Sequence, residues 1–391
     1  MMKGMILAAG KGTRIRPISH MIPKPMIPIL GKPVMESMIQ LFAKHGIDKI
    51  VINTSHLAEN IESYFGDGHH FNVQLSYSYE VIEQDGEYIC QALGSAGGMK
   101  KVQDFSGFFD TTFLVVCGDA WIDLDLQQAV THHKESGGLA TIITKEVPLE
   151  DVSQYGVVVT DKHGLVSQFQ EKPMKEDALS TQVNTGIYIF EPAIFDFIPS
   201  NIEFDIGGDL FPLLVEKNVD FYAVDMDFQW LDVGKVHDIW SVTSDILKGK
   251  VKGYPIPGTQ VVPGVWVGIN TVIDIEQCQI TPPVIISNGC EIGNGATIVG
   301  PAVIGANCKI DPQALISNTL ICDYIHIAEE AYIANKTMFG DYLLGHDGYT
   351  QLIESSDYIH TLKNRSISKW TSNIERSVDV LAGVASQVKQ P

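Results

Sequence analysis

The 391-residue chain reads as an α/β protein with a repetitive appendage: a Rossmann-like, mixed but mostly parallel sheet, then a left-handed parallel β-helix. Three observations predict this. Apolar strand-like runs alternate with amphipathic helix-like runs from residue 5 to about 245, the pattern of a doubly wound sheet. The first apolar run, Met5 to Ala9, opens into a loop carrying Gly10 and Gly12, where such sheets bind ligands beyond the carboxyl ends of their strands. From Ile286 onward an aliphatic residue recurs at every sixth position, which is neither helical periodicity nor simple alternation. The expected domains are 1–248, 260–345 and a tail, 346–391.

Met5 to Ala9 is taken as a buried strand. Met35, Met38, Ile39 and Phe42 fall at i, i+3, i+4 and i+7 on a helix that Gly46 stops. Lys49 to Asn53 is the next strand, Leu57 to Phe65 a helix, Val73 to Tyr79 a strand and Thr112 to Cys117 a buried strand. Asp125 to Ser136 is a helix ended by Gly137 and Gly138. His45, His132 and His133 are read as solvated helix residues. Pro255, Pro257 and Pro263 mark a linker. The repeat then runs through Ile286, Ile292, Ile298, Ile304, Ile310 and Ile316, slips by one residue, and resumes at Ile321, Ile327, Ile333 and Phe339. Glycine follows several of these, as at Gly293 and Gly305. Such aliphatics stack inside a triangular prism. The polar, partly helix-like tail receives no role.

The net charge is −20, from 47 acidic and 27 basic residues, which argues against nucleic acid or an anionic membrane as partner. No apolar run is long enough to span a bilayer, and Lys11 and Arg14 follow the first apolar run too soon for a secretory signal, so a cytoplasmic protein is expected. The six cysteines form no C-x-x-C pair and read as reduced core residues rather than zinc ligands or disulfides. Residues 1–50 run against the overall charge, with eight Lys or Arg against Glu36 and Asp48. A basic island in an acidic chain suits a small polyanionic substrate. The prism's open ends and flat faces suit association of copies into a homo-oligomer.

Glycines after a strand let backbone N–H groups approach an anion that a Cβ would hold off. Here Gly10-Lys11-Gly12-Thr13-Arg14 is followed by Pro23-Lys24-Pro25, and the two prolines stiffen the backbone around Lys24, as holding one ammonium against phosphate oxygens requires. A G-x-G turn alone is more often a turn with solvated cations; the bracketed lysine changes that. The loop lacks the G-K-[ST] of a P-loop, and Ile15 stands where a third dinucleotide-loop glycine would be. The apolar run Phe113 to Cys117, then Gly118-Asp119, and the segment Trp230-Leu231-Asp232-Val233-Gly234 each present an aspartate. Two carboxylates plus substrate phosphate oxygens suit Mg²⁺.

These motifs resemble the sugar-1-phosphate nucleotidyltransferases, the NDP-sugar pyrophosphorylases, whose signature is G-x-G-T-R followed by P-K-P. The resemblance covers roughly residues 3–345. It implies transfer of a nucleotidyl group from an NTP to a sugar 1-phosphate with release of pyrophosphate, using Mg²⁺ held by Asp119 and Asp232. It implies that Leu7, Ala8, Ala9, Gly10, Lys11, Gly12, Thr13, Leu93, Gly94, Ser95 and Gly118 bind the nucleotide, with Arg14 and Lys24 on its phosphates. Tyr155, Gly156, Glu171, Lys172, Asn184 and Thr185 then bind the sugar phosphate, with Lys172 of the E-K-P motif on its phosphate. Lys235 stands where many relatives carry threonine. Ala92 to Gly98, Val115 to Ala120 and Phe204 to Gly207 look closest to the cyanobacterial-type UDP-glucose branch, so UTP with glucose 1-phosphate is expected, and GTP with mannose 1-phosphate is the alternative, ahead of thymidylyl or adenylyl transfer. Two other classes compete. A β-helix acyltransferase would need a surface histidine, and the repeat offers only His326, with His346 just beyond. A silent regulatory subunit would not need Arg14, Lys24, Asp119, Lys172 and Asp232 intact.

Overall fold

The computed structural model describes residues 2–84, 87–345, 349–353 and 359–361, so most of the expected tail lies outside the described residues. The chain divides into two compact units, 1–238 and 239–391, and the helix Val236–Leu247 runs across the division.

The first unit is built on a nine-stranded sheet. Lys3–Leu7 lies at its centre, parallel to Lys49–Thr54 on one side and Phe113–Cys117 on the other, with Gln74–Tyr79 parallel beyond Lys49–Thr54. On the far side of Phe113–Cys117 the long strand Gln182–Phe190 runs antiparallel, and Gly156–Thr160 and Val166–Glu171 follow it. Both faces of the centre are dry: Met5, Ile6, Leu114, Val115 and Val116 are all fully buried, as strands covered on both sides require. The helix Val34–Lys44 lays Met35, Met38, Ile39 and Phe42 on one face. The sheet's other face is filled by aromatic rings including Phe113, Phe190, Phe195 and Phe211. Among the described residues no helix is long and apolar enough to cross a membrane.

The helix Leu126–Ser136 is capped by Asp125, whose carboxylate accepts from the N–H groups of Gln127 and Gln128, and closed by Gly137 in the left-handed region. It corrects one expectation. His133 is 1 % exposed, with Nδ1 on Thr141 and Nε2 at 3.2 Å from Glu191, and burial lowers its pKa against the pull of that carboxylate. It shares the buried face of Leu126, Ala129 and Val130, at i, i+3, i+4 and i+7. His45 is likewise partly buried, with Nδ1 on the Leu41 carbonyl.

The second unit contains a parallel β-helix. Val284–Ile286, Thr297–Ile304 and Leu315–Ile321 stack in parallel, Glu291–Ile292, Lys309–Ile310 and Ile325–Ile327 form another face, and Ile298, Ile316 and Ile333 stack on a third. Gly293 and Gly305 have a definite reason: a Cβ at either would stand 2.5 Å from backbone of the next coil. Cys290 and Cys308 lie in the core as free thiols whose Sγ atoms reach carbonyls of the following coil. The slip in the repeat has a physical origin. The corner Gly300-Pro301 of one coil is matched in the next by the single residue Asn318, with φ of 48°. Asn335 repeats that corner, its Oδ1 accepting from Asn318 Nδ2 at 2.6 Å, and Leu320 pairs with Thr337. The next inward residue is therefore Met338, fully buried in the repeat core, and not Phe339 as the hexad count predicts.

Candidate active site

The central strands end together, with Leu7 level with both Asn53 and Cys117. The loop leaving Leu7 is fastened to the neighbouring strands. Asn53 Oδ1 accepts from the Ala8 N–H at 2.8 Å, Ser55 donates to the Ala9 carbonyl at 2.6 Å, and the Gly118 N–H donates to the Leu7 carbonyl at 3.0 Å. Gly12 has φ of 59°, and a Cβ there would press on Ser19 and on the Lys24 stem at 3.2 and 3.3 Å. The glycine that opens the loop thus also seats the lysine. A cavity of about 290 Å³ lies beside this loop, lined by Leu7, Ala8, Ala9 and Gly10, by Lys24 and Asp119, and by Gly94, Ser95 and Asp205.

Lys24 Nζ is ion-paired with Asp119 Oδ2. Burial alone would lower the lysine's pKa, but Asp119 and Asp232 outweigh it and the net shift is upward. The two aspartates come from segments more than a hundred residues apart, joined where Trp230–Asp232 pairs antiparallel with Ala120–Ile122 and the Val233 N–H donates to the Asp119 carbonyl at 3.2 Å. Burial, and then the Asp119 carboxylate, push Asp232 up to about 6. Two carboxylates that disfavour each other's charge in a half-buried site, with hard oxygen donors only, fit a divalent cation whose remaining ligands come from phosphate or water. Among the described residues no group of three or more His, Cys, Asp or Glu is placed to hold a metal ion.

A second cavity of about 210 Å³ adjoins the first and shares Leu7, Lys24, Ser95, Cys117, Asp119 and Asp205 with it. Its remaining lining includes Arg14, Tyr155, Gly156, Glu171, Lys172, Asn184, Thr185 and Asp232. A bulge aims the Asn184 end of its strand: Thr185 to Ile187 stand opposite Ile143 alone, Thr185 donates to the Ile143 carbonyl, and Gly186 takes φ of 76° where a Cβ would meet Cys117 Sγ at 2.8 Å. Asn184 Nδ2 donates to the Tyr188 hydroxyl at 2.9 Å, and its Oδ1 accepts from the Gly186 N–H. Lys172 sits at φ of 44°, a strained place for a side-chain-bearing residue, with its N–H on the Tyr155 carbonyl and its ammonium on Glu171.

The two cavities thus gather most of the residues singled out in the sequence. Lys11, Gly12, Thr13, Leu93 and Gly118 line neither. Gly118 packs so closely that a Cβ would stand 2.9 Å from Ile6. Sequence reasoning missed Asn53 and Glu80. Glu80, 1 % exposed, accepts from Asn53 Nδ2 at 2.7 Å and from the Leu93 N–H at 2.9 Å, and burial raises its pKa. A Cβ at Gly98 would meet Glu80 Oε1 at 2.5 Å, so the second glycine of Gly97-Gly98 is the trace that this network leaves in the sequence.

A glycine loop at the ends of the central strands, a lysine beside two carboxylates and an adjoining polar cavity suit an enzyme that moves a phosphorus-linked group. The chain belongs to the nucleotidyl transferase family, whose model matches residues 3–249. It is 54 % identical over 347 residues, 89 % of each chain, to UTP–glucose-1-phosphate uridylyltransferase of Synechocystis sp.. It is 29 % identical over 325 residues to mannose-1-phosphate guanylyltransferase of Mycobacterium tuberculosis, covering 83 % of this chain and 80 % of that one. The fold is shared with a UDP-glucose pyrophosphorylase crystallised with UDP-glucose, at a TM-score of 0.52 and 24 % identity, over 64 % of this chain and all of that one.

Proposed function

We propose that the protein joins UTP and glucose 1-phosphate into UDP-glucose and pyrophosphate, with Mg²⁺ as the metal. The observation that carries this is the meeting of the two cavities at Lys24 and Asp119, in a chain so similar to the Synechocystis uridylyltransferase. The nucleotide occupies the cavity beside Ala8, Ala9 and Gly10, and the sugar phosphate occupies the one lined by Glu171, Lys172 and Asn184. An oxygen of the sugar phosphate attacks the α-phosphorus, the bond from that phosphorus to the oxygen leading to the β-phosphate breaks, and pyrophosphate leaves. No protein nucleophile takes part. Lys24 and Arg14 neutralise the triphosphate, Lys172 holds the incoming phosphate, and Asn184 and Glu171 bond sugar hydroxyls, so catalysis is positioning plus charge neutralisation. Asp119 and Asp232 would hold Mg²⁺, which would supply charge stabilisation to the phosphates. The second unit, with its flat strand faces, joins copies into an oligomer, which light scattering of the purified protein tests.

Pyrophosphate release by purified protein with Mg²⁺ tests the reaction, across UTP, GTP, ATP and dTTP crossed with glucose, mannose, galactose and N-acetylglucosamine 1-phosphates. The expected result is a dominant UTP–glucose combination that Asp119→Asn removes. A dominant GTP–mannose combination, the second reading that the guanylyltransferase relatives support, would keep the chemistry and replace the substrates. A blank grid would overturn the assignment.

A further inference from the structure

Beside Leu7 and Cys117, the residues shared by both cavities fall into two bonded pairs, Lys24 with Asp119 and Ser95 with Asp205. The first pair belongs to the charge chemistry above, whereas the second has no part in it. Ser95 Oγ donates to Asp205 Oδ2 at 2.7 Å and accepts from the Ile206 N–H at 2.7 Å. Asp205 Oδ1 accepts from the N–H groups of Gly207 and Gly208, both at 2.9 Å. The same segment is tied to the start of the helix Gly94–Ser106, on the nucleotide side, by backbone bonds of 2.9 Å, from Phe204 N–H to the Leu93 carbonyl and from Gly97 N–H to the Phe204 carbonyl. Gly94 permits this, since a Cβ there would stand 2.5 Å from the Phe204 carbonyl oxygen. On its far side the segment abuts the sugar-phosphate cavity. A Cβ at Gly207 would stand 2.8 Å from Glu171 Oε2, and Glu171 holds Lys172.

An unbroken run of contacts therefore leads from Leu93 and Ser95 through Asp205 and Gly207 to Glu171 and Lys172. We propose that Asp205 is a positioning residue that couples the two cavities. One carboxylate oxygen grips the start of that helix through Ser95, and the other caps the turn at 206–210. The place of this helix start thereby fixes the place of Glu171 and Lys172. Close packing at Gly207 leaves no slack in which a displacement could be lost. The inference rests on the two-substrate reaction proposed above, and its content is energetic, so its test is a coupling measurement.

Calorimetry on the full-length protein would give the Kd of glucose 1-phosphate alone and with saturating α,β-methylene UTP, which binds but cannot transfer its nucleotidyl group. In the wild type the analogue is expected to tighten glucose 1-phosphate binding by about 5-fold or more, the lower end of typical site–site coupling. Asp205→Asn keeps an oxygen for the turn but loses the acceptor for the Ser95 hydroxyl. Asp205→Asn and Ser95→Ala should each bring the ratio to about 1–2, and the double variant should match the single ones, because both remove one link. Gly207→Ala should weaken glucose 1-phosphate binding and leave the analogue's Kd unchanged. Should Asp205→Asn fail to fold, Ser95→Ala and Gly207→Ala carry the test. A wild-type ratio near 1, an unchanged ratio in natively melting variants, or additive effects in the double variant would each overturn the coupling role while the reaction stands. A wild type that binds neither ligand would overturn the reaction and this inference with it.

Discussion

The two units assign work to their residues over different distances. In the β-helix an isoleucine meets its partner one coil later, as Ile286 meets Ile304 and Ile304 meets Ile321, and the same duty recurs coil after coil. In the sheet unit the bonds that build the site join residues far apart: Ala8 to Asn53 across 45 positions, Lys24 to Asp119 across 95, and Ser95 to Asp205 across 110. A short, repeated separation writes structure into sequence as a period. A long, unrepeated one leaves only isolated residues whose meeting the fold decides.

If this division of labour holds, repeat variants cost stability and site variants cost turnover. Ile298→Ala removes a fully buried core side chain and should destabilise the protein by about 2–5 kcal/mol in denaturant unfolding, with kcat of the surviving native protein within twofold of the wild type. A large kcat loss in the still-folded fraction would erase the division. Lys24→Met should act the other way, lowering kcat on the order of 100-fold, or about 2.7 kcal/mol of transition-state stabilisation, with a smaller loss of stability than Ile298→Ala. Wild-type turnover in that variant would remove Lys24 from the chemistry.

The pH dependence sharpens the comparison further. Asp232 is held at about 6 in the folded protein, above its ordinary 3.8, so between those values the native state binds more protons than the unfolded chain. Its contribution to stability is therefore present at pH 4 and falls as pH rises through 6, while the charged carboxylate that a metal needs accumulates over the same window. The stability difference between wild type and Asp232→Asn should shift against the wild type from pH 4 to pH 7, and wild-type turnover should rise over that range. A pH-independent difference would contradict the shift. The smallest effect is expected at the corner residue Asn318: Ala, at φ of 48°, should cost about 1–2 kcal/mol, and Gly only a few tenths, read from unfolding midpoints.

Much of this molecule was legible before its structure. The alternating elements, the loop from Gly10 to Arg14, the proline-bracketed Lys24 and the two strand-end aspartates all follow from local pattern, and the isoleucine hexads announce the prism. The hidden part was set by packing. Nothing near Glu80 in the chain says that it will be buried against Asn53, and only Gly98 hints at it. His133 was legible after all, since helical spacing puts it with Leu126, Ala129 and Val130; its polarity hid it, because its partners Thr141 and Glu191 lie beyond the helix. Met338 escaped because a hexad count cannot see that Asn335 turns a corner in one residue where Gly300 and Pro301 use two.

That corner governs which insertions and deletions the second unit can absorb. The one-residue difference between Gly300-Pro301 and Asn318 alters the bend and leaves the register of the flanking faces intact. A residue added within Thr297–Val299 would turn Ile298 outward and bring a neighbour such as Thr297 to the core side, since side chains alternate along a strand. Between successive coils length changes by one residue at this corner, and coil to coil the spacing is 18 or 17 residues. A descendant of this chain could lengthen its prism by duplicating a coil, while point insertions along a face would be purged.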